Sequence, residues 1–186
     1  MNCQELILLA ARQARGGLTA TESGIWDEDA ALQIPDALQA LADKCVYDDA
    51  KRNMLTKAYT LSFTSGVSSL SAATDLYRSA LKHSRLYGNL DALQQRPFVF
   101  RENWATLHLY QSPLRGFYAL KGNDIVAYNE DVTVPVDGDC ILYCMYVPAE
   151  VSGTINIPKE LETELTDLLA ARLIANAAAR TYVNAA

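Results

Sequence analysis

The residue types able to do chemistry in this chain are few and scattered. Its thiols are Cys3, Cys45, Cys140 and Cys144, and its imidazoles are His83 and His108. A nucleophilic cysteine needs a neighbour that holds it as thiolate. Cys45 or Cys140 would be that nucleophile and His83 its base, yet no spacing joins them. His83 follows Lys82 on a polar stretch, which reads as surface. His108 stands between Leu107 and Leu109, which reads as the half-exposed side of a strand. Metal-ligand spacing is missing too, because no CxxC pair occurs and the histidines are far apart. The thiols therefore read as reduced and mostly buried. Acidic pairs stand at Asp27-Glu28, Glu130-Asp131 and Asp137/Asp139, all in turn-like stretches. The last pair flanks Gly138 and could bind a cation weakly, but solvated turn acids are the simpler reading. No GxSxG, GxxxxGK[ST] or HExxH motif occurs, nor a GxGxxG after a strand. The expectation is a chain that is not an enzyme and carries no cofactor or metal.

Composition narrows the class further. The chain has 186 residues, of which 50% are hydrophobic and 20% charged, enough for a packed core. Net charge is −6 and the pI is near 4.9, with no Lys/Arg run. That argues against binding nucleic acid by phosphate neutralisation. It leaves room for a surface that surrounds DNA without gripping it. The apolar run Leu6 to Ala11 is short, follows Glu5 and lacks a basic lead-in, so no targeting segment is expected. No stretch is long enough to span a membrane, and folding in the cytoplasm is expected.

The elements that would position any surface read as follows. Residues 3–15 form a helix stopped by Gly16-Gly17. Residues 18–28 are a polar loop anchored by Trp26. A helical region from about Glu28 to Lys57 is divided at Pro35, with a short turn before it and a longer helix after it. Tyr59, Leu61 and Phe63 alternate with Thr60 and Ser62 as a strand. Residues 64–74 form a small-residue loop ending in an N-cap at Thr74, and 75–86 a short helix with Leu76, Ala80 and Leu81 inward. Phe98 to Phe100 and Trp104 to Tyr110 read as strands. Gly116–Leu120 and Ile125–Tyr128 flank Lys121-Gly122-Asn123-Asp124 as a hairpin. Cys140 to Val147 is apolar on both faces and reads as a central strand. Residues 149–157 are a linker with short pairing at Thr154-Ile155.

The longest helical signal closes the chain, from Pro158 to Tyr182. Proline suits a first turn, and Glu160, Glu162 and Glu164 precede Arg172 and Arg180, as the helix dipole favours. Leu161, Leu165, Leu168, Leu169 and Leu173 make one stripe. Ala175, Ala177, Ala178 and Ala179 then leave little bulk, which suits contact with a neighbouring chain. The fold class is α+β: N-terminal helices and a long C-terminal helix in a bundle, with a small antiparallel β-barrel or sandwich lobe between. One domain is expected over 1–186, helical at about 1–58 and 158–183, with the β lobe at about 59–64 and 98–157.

This layout resembles the head-to-tail adaptor, or connector, proteins of tailed bacteriophages. The likeness rests on the N-terminal helices passing into LTKAYTLSFTSGVSSL and on the β segment GFYALKGNDIVAYNEDVTVPVDGDCILYCMYVPAE. It rests also on the proline-led closing helix INIPKELETELTDLLAARLIANA. The resemblance implies a virion protein at the head-tail interface, a homo-oligomeric ring, commonly twelve-fold, beneath the portal protein. Such a ring extends the DNA channel and docks tail and nozzle proteins; DNA passes without sequence-specific binding. An acidic wall suits that passage, because like charge prevents sticking. A ring needs a head-to-tail interface that closes, for which loop 64–74 and the alanine-rich helix end are candidates. Terminal segments of the family often reach into the portal, which implies contact roles for Arg180, Tyr182 and Val183. Two other readings stay open: a tail-completion or neck protein of the same particle, and a small α+β ligand-binding module with Tyr118, Tyr128, Tyr143 and Tyr146 lining a pocket.

Overall fold

Helix α1 (Cys3–Arg15) starts where the Asn2 side chain accepts a hydrogen bond from the Gln4 N–H, and it ends at Gly16 with φ +58°. Glu5 lies in its first turn, and Arg12 and Arg15 in its last, the order that complements the backbone dipole. The span and the glycine stop are those read from sequence; the Asn2 cap and the charge order are added by the structure. The computed structural model describes residues 1–88, 97–109, 116–129 and 134–184. By internal contacts the chain divides into two units, Met1–Leu55 with Val147–Ala186, and Thr56–Tyr146.

In the first unit the expected loop after α1 contains a short helix, α2 (Ala20–Ser23), set by a capping box between Thr19 and Glu22. Its anchor is Ile25, 4% exposed, and not Trp26, 47% exposed. The Arg15 guanidinium decides this: it donates to the Ile25 carbonyl at 3.1 Å and pairs with Asp27. Helix α3 (Asp27–Cys45) runs straight through Pro35 rather than breaking before it. A mid-helix proline removes one backbone hydrogen bond and typically costs about 3 kcal/mol. Here Ala31, Pro35 and Asp36 face solvent, so water can reach the carbonyl left without its partner. Ile34, Ala37, Leu38 and Leu41 are buried on the other side and hold the helix together. The region expected to stay helical to Lys57 instead restarts at α4 (Asp49–Met54), whose N-cap Asp48 accepts from Ala50 and Lys51.

The strands β8 (Glu150–Val151) and β9 (Thr154–Ile155) form a hairpin in this same unit. Composition had placed 147–157 in the β lobe. Backbone pairing decides otherwise: Cys3 N donates to Gly153 O at 3.0 Å and Ile155 N to Met1 O at 2.9 Å. After Pro158 a 3-10 turn (Lys159–Leu161) leads into α5 (Glu162–Asn184). Helices α1, α3 and α5 pack against one another. Leu161, Leu165, Leu169 and Leu173 are buried as expected, while Leu168 is half-buried.

The second unit holds two sheets. One has the order β1-β7-β3, from β1 (Thr56–Phe63), β7 (Gly138–Met145) and β3 (Arg85–Tyr87). The central place of β7 agrees with its apolar sequence, although Tyr143 is 43% exposed. Tyr59, Leu61 and Phe63 turn inward on β1, as the alternation requires. The other sheet has the order β2-β6-β5-β4, from β2 (Val67–Ser69), β6 (Asp124–Tyr128), β5 (Phe117–Lys121) and β4 (Val99–Phe100). Strand β2 falls in the stretch expected as a loop.

The α+β class stands as expected; of the expected antiparallel barrel or sandwich lobe, the closed barrel and the purely antiparallel pairing are corrected. Strand β4 pairs parallel with β5, and the sheets are open rather than closed into a barrel. Isolated bridges, Thr64 with Val67 and Leu86 with Phe98, meet across two corners. The edge strands are too short to continue them as ladders.

Two further readings change. Residues 75–86 give a 3-10 turn (Arg78–His83) and β3, not a helix capped at Thr74, though Leu76, Ala80 and Leu81 are buried. Trp104–Leu109 is a 3-10 turn, not a strand. Asn103 nucleates it: its side chain accepts from Ala105 N at 3.0 Å, and its carbonyl accepts from the Thr106 hydroxyl at 3.1 Å. The turn buries Leu107 against Phe117, Ala119 and Val126 and so covers one face of β5 and β6. The hairpin stands as read. Lys121 pairs with Asp124 across Gly122-Asn123, and Gly122 has φ +63°, a conformation glycine adopts without steric cost.

Candidate assembly surface

The closing helix is positioned by a charge ladder as well as by its leucines. Glu164, Arg172 and Arg180 recur every eight residues along α5, and each has a partner on α3. Lys44, Asp36 and Asp29 answer them in reverse order along α3, so the two helices run antiparallel. Glu164 is bracketed by Lys44 and Lys51, each ammonium 2.6 Å from a carboxylate oxygen. Arg172 reaches Asp36 at 3.4 Å. Arg180 holds Asp29 through both nitrogens, at 2.8 and 2.7 Å, the parallel geometry in which arginine pairs best with a carboxylate.

Apolar packing thins before the ladder ends. On the core-facing side Leu173 is 2% exposed, and Asn176 and Ala177, a turn later, are half-buried. On the other side Ile174 is 51% exposed, and Ala175, Ala178 and Ala179 are exposed. The last turns of α5 therefore carry a solvent-facing apolar side and, among the described residues, the Arg180–Asp29 ion pair to α3. No protein-family model and no curated protein matches the chain. What it can do must be argued from this geometry.

Of the residues given contact roles, Arg180 is placed in an intramolecular pair at the rim of the helical unit. Tyr182 and Val183 lie on α5, and their side chains are outside the described residues. The partner of Arg180, Asp29, was missed in the sequence. The mirrored spacing of charges in the two helices was the signal available for it. Of loop 64–74, Val67 is 40% exposed and Ser68 is buried.

The four tyrosines are each engaged separately. Tyr118 is fully buried, donates to Ser84 O at 3.0 Å and stacks edge-on against Phe100. Tyr128 packs beside Leu107 and Phe117, and Tyr143 meets Tyr87 edge-on. Tyr146 lies under the Lys57 ammonium. All four cysteines are free and buried. Burial, aided by Glu164, pushes the Cys45 thiol up to about 11; burial, aided by Asp139, does the same to Cys140. Both are thiols at neutral pH, the inert form. His83 is exposed, on the Arg78–His83 turn. The side chain of His108 and the pair Glu130-Asp131 lie outside the described residues. Asp137 accepts from Ser65 N at 2.5 Å and Asp139 from the Ser62 hydroxyl at 2.5 Å. Among the described residues no group of three or more His, Cys, Asp and Glu is placed to hold a metal.

The ladder makes the helical unit acid-sensitive. Hydrogen bonds from Arg180 are the main reason the Asp29 carboxyl sits below its ordinary 3.8. Burial would raise Glu164, but Lys44 and Lys51 outweigh it and hold it below its ordinary 4.5. Both groups thus contribute stability that is present above the unfolded pKa and lost as pH falls through the lower folded one. Urea unfolding followed by helical circular dichroism is expected to show a lower midpoint at pH 3 than at pH 6. An Asp29→Asn, Glu164→Gln double variant is expected to show a smaller difference between the two.

Proposed function

We propose that this chain is a structural virion protein, a head-to-tail adaptor that forms a ring beneath the portal, extends the DNA channel and docks tail proteins. The observation that carries the reading is the end of α5, where the helix continues past Leu173 with Ile174, Ala175, Ala178 and Ala179 facing solvent. An apolar side that its own unit does not cover is what a subunit or portal contact requires. The net charge of −6 suits a channel wall, because phosphates sliding past it meet repulsion rather than adhesion. The order of elements, helices before and after a β unit, is the order on which the resemblance rests. No helix among the described residues is long and apolar enough to cross a membrane. Protonated, buried thiols and separately engaged tyrosines agree with an assembly part rather than a catalyst or a tyrosine-lined binding module.

The test is co-assembly with the portal protein. Deleting residues 181–186 removes the end of the helix while keeping Arg180. Loss of portal binding in a pull-down or native mass measurement supports the reading. Unchanged binding of the shortened chain overturns the contact role of Tyr182 and Val183, and unchanged binding when Ile174→Asp is added overturns that of the exposed apolar side.

A further inference from the structure

We propose that residues 174–184 form an arm latched to the helical unit by charge, which swings free of α3 when the Arg180–Asp29 pair is broken. The observations are the thinning of burial along the core-facing side of α5, from Leu169 and Leu173, both buried, to Asn176 and Ala177, half-buried, and the position of the pair beyond it. Upstream, α5 is held by buried leucines, with Thr166 also buried, and by the Glu164 contacts. Downstream, Asn176 and Ala177 are only half-buried, and the ion pair to α3 found among the described residues is the two-point clamp of Arg180 on Asp29. Asp29 is well sheltered, with 19% of its side chain exposed, while Arg180 is 56% exposed. The acid is thus built into the unit and the guanidinium is the part that can leave. Asp27, close by on α3, is paired with Arg15, so the clamp centres on Asp29. An apolar contact would tighten or hold in salt, whereas an ion pair at a solvent rim weakens as ions screen it. The latch therefore gives this helix end a release that its leucine-held part lacks. It stands whatever partner the arm meets.

The experiment is backbone hydrogen exchange on the full chain, comparing 174–184 with 162–173. Arg180→Gln removes the clamp from the arm side and leaves the start of α3 untouched. Exchange in 174–184 is expected to rise about threefold to fivefold, with 162–173 unchanged, the upper range for a well-oriented ion pair at an exposed site. Arg180→Lys, keeping the charge without the fork, is expected to fall between. Raising salt from low to molar concentration should accelerate the same amides in the unmodified chain. Unchanged exchange in Arg180→Gln overturns the latch. So does equal acceleration over 162–184, which would make the pair a part of whole-helix stability.

Discussion

A chain carrying Leu169→Ala is expected to lose about 2–5 kcal/mol from its helical unit, while Ile174→Ala, five residues on, changes stability by less than about 0.5 kcal/mol. Leu169 is fully buried, in the middle of the stripe that α5 presents. Truncating it removes three carbons from the core and leaves a cavity that rigid helices on either side fill only in part. Ile174 is half exposed, and alanine is the better helix former, so shortening it removes little. Chemical denaturation followed at a helix-sensitive wavelength checks both variants. Equal losses at the two positions would mean that Ile174 is packed as Leu169 is, against the burial pattern. A portal-binding assay on Ile174→Ala separates the roles further, since a contact residue loses affinity without losing stability.

The second large effect is expected at Gly116. A Cβ placed there would lie 1.8 Å from Cε1 of Phe98 and 2.6 Å from the Tyr128 carbonyl oxygen. The first contact can be relieved only by moving a whole ring; the second is backbone of β6 and has no such freedom. Val99 N also donates to Gly116 O at 2.9 Å, so the glycine cannot move away without loosening β4. Gly116→Ala is expected to cost about 3 kcal/mol, the upper end for overpacking. Faster amide exchange in 117–121 and 124–128 is the local readout. Adding Phe98→Ala to Gly116→Ala should recover part of the loss relative to Phe98→Ala alone. No recovery would place the conflict at the β6 carbonyl instead of the ring.

Legibility in the sequence followed the range of the interactions involved. Helix α1 with its stop at Gly16 and the Gly122-Asn123 hairpin are specified within a few residues, and both stand as read; the Asn2 cap, equally local, was not picked out. Strand β7 is apolar on both faces and is central. The errors came where a local signal met a distant one. Alternation over Trp104 to Tyr110 resembles a strand, yet Asn103 starts a turn that buries Leu107 under Phe117. Pro35 reads as a break, but the buried faces of Ile34 and Leu38 carry the helix across it. The placement of 147–157 depends on backbone bonds to Met1 and Cys3, which no window of sequence brings together. The same holds for the assembly surface. Arg180 was visible as a charge near the end of a helix, whereas its acid lies 151 residues earlier.

The split of the helical unit between Met1–Leu55 and Val147–Ala186 has a consequence in time. Helices α1 and α3 leave the ribosome long before α5, the rod they pack against, has been made. At typical rates of synthesis the intervening stretch takes roughly 5–20 s to appear, far longer than a hairpin needs to form. The β unit has time to fold first, while Leu38, Leu41 and Leu6 wait without their cover. Asp29 and Asp36 give the waiting helix negative charge close to that bare stripe, which discourages two nascent chains from joining there. The order of birth thus makes α5 the last of the packed helices of this unit to arrive, and the helical unit closes only once α5 has been made.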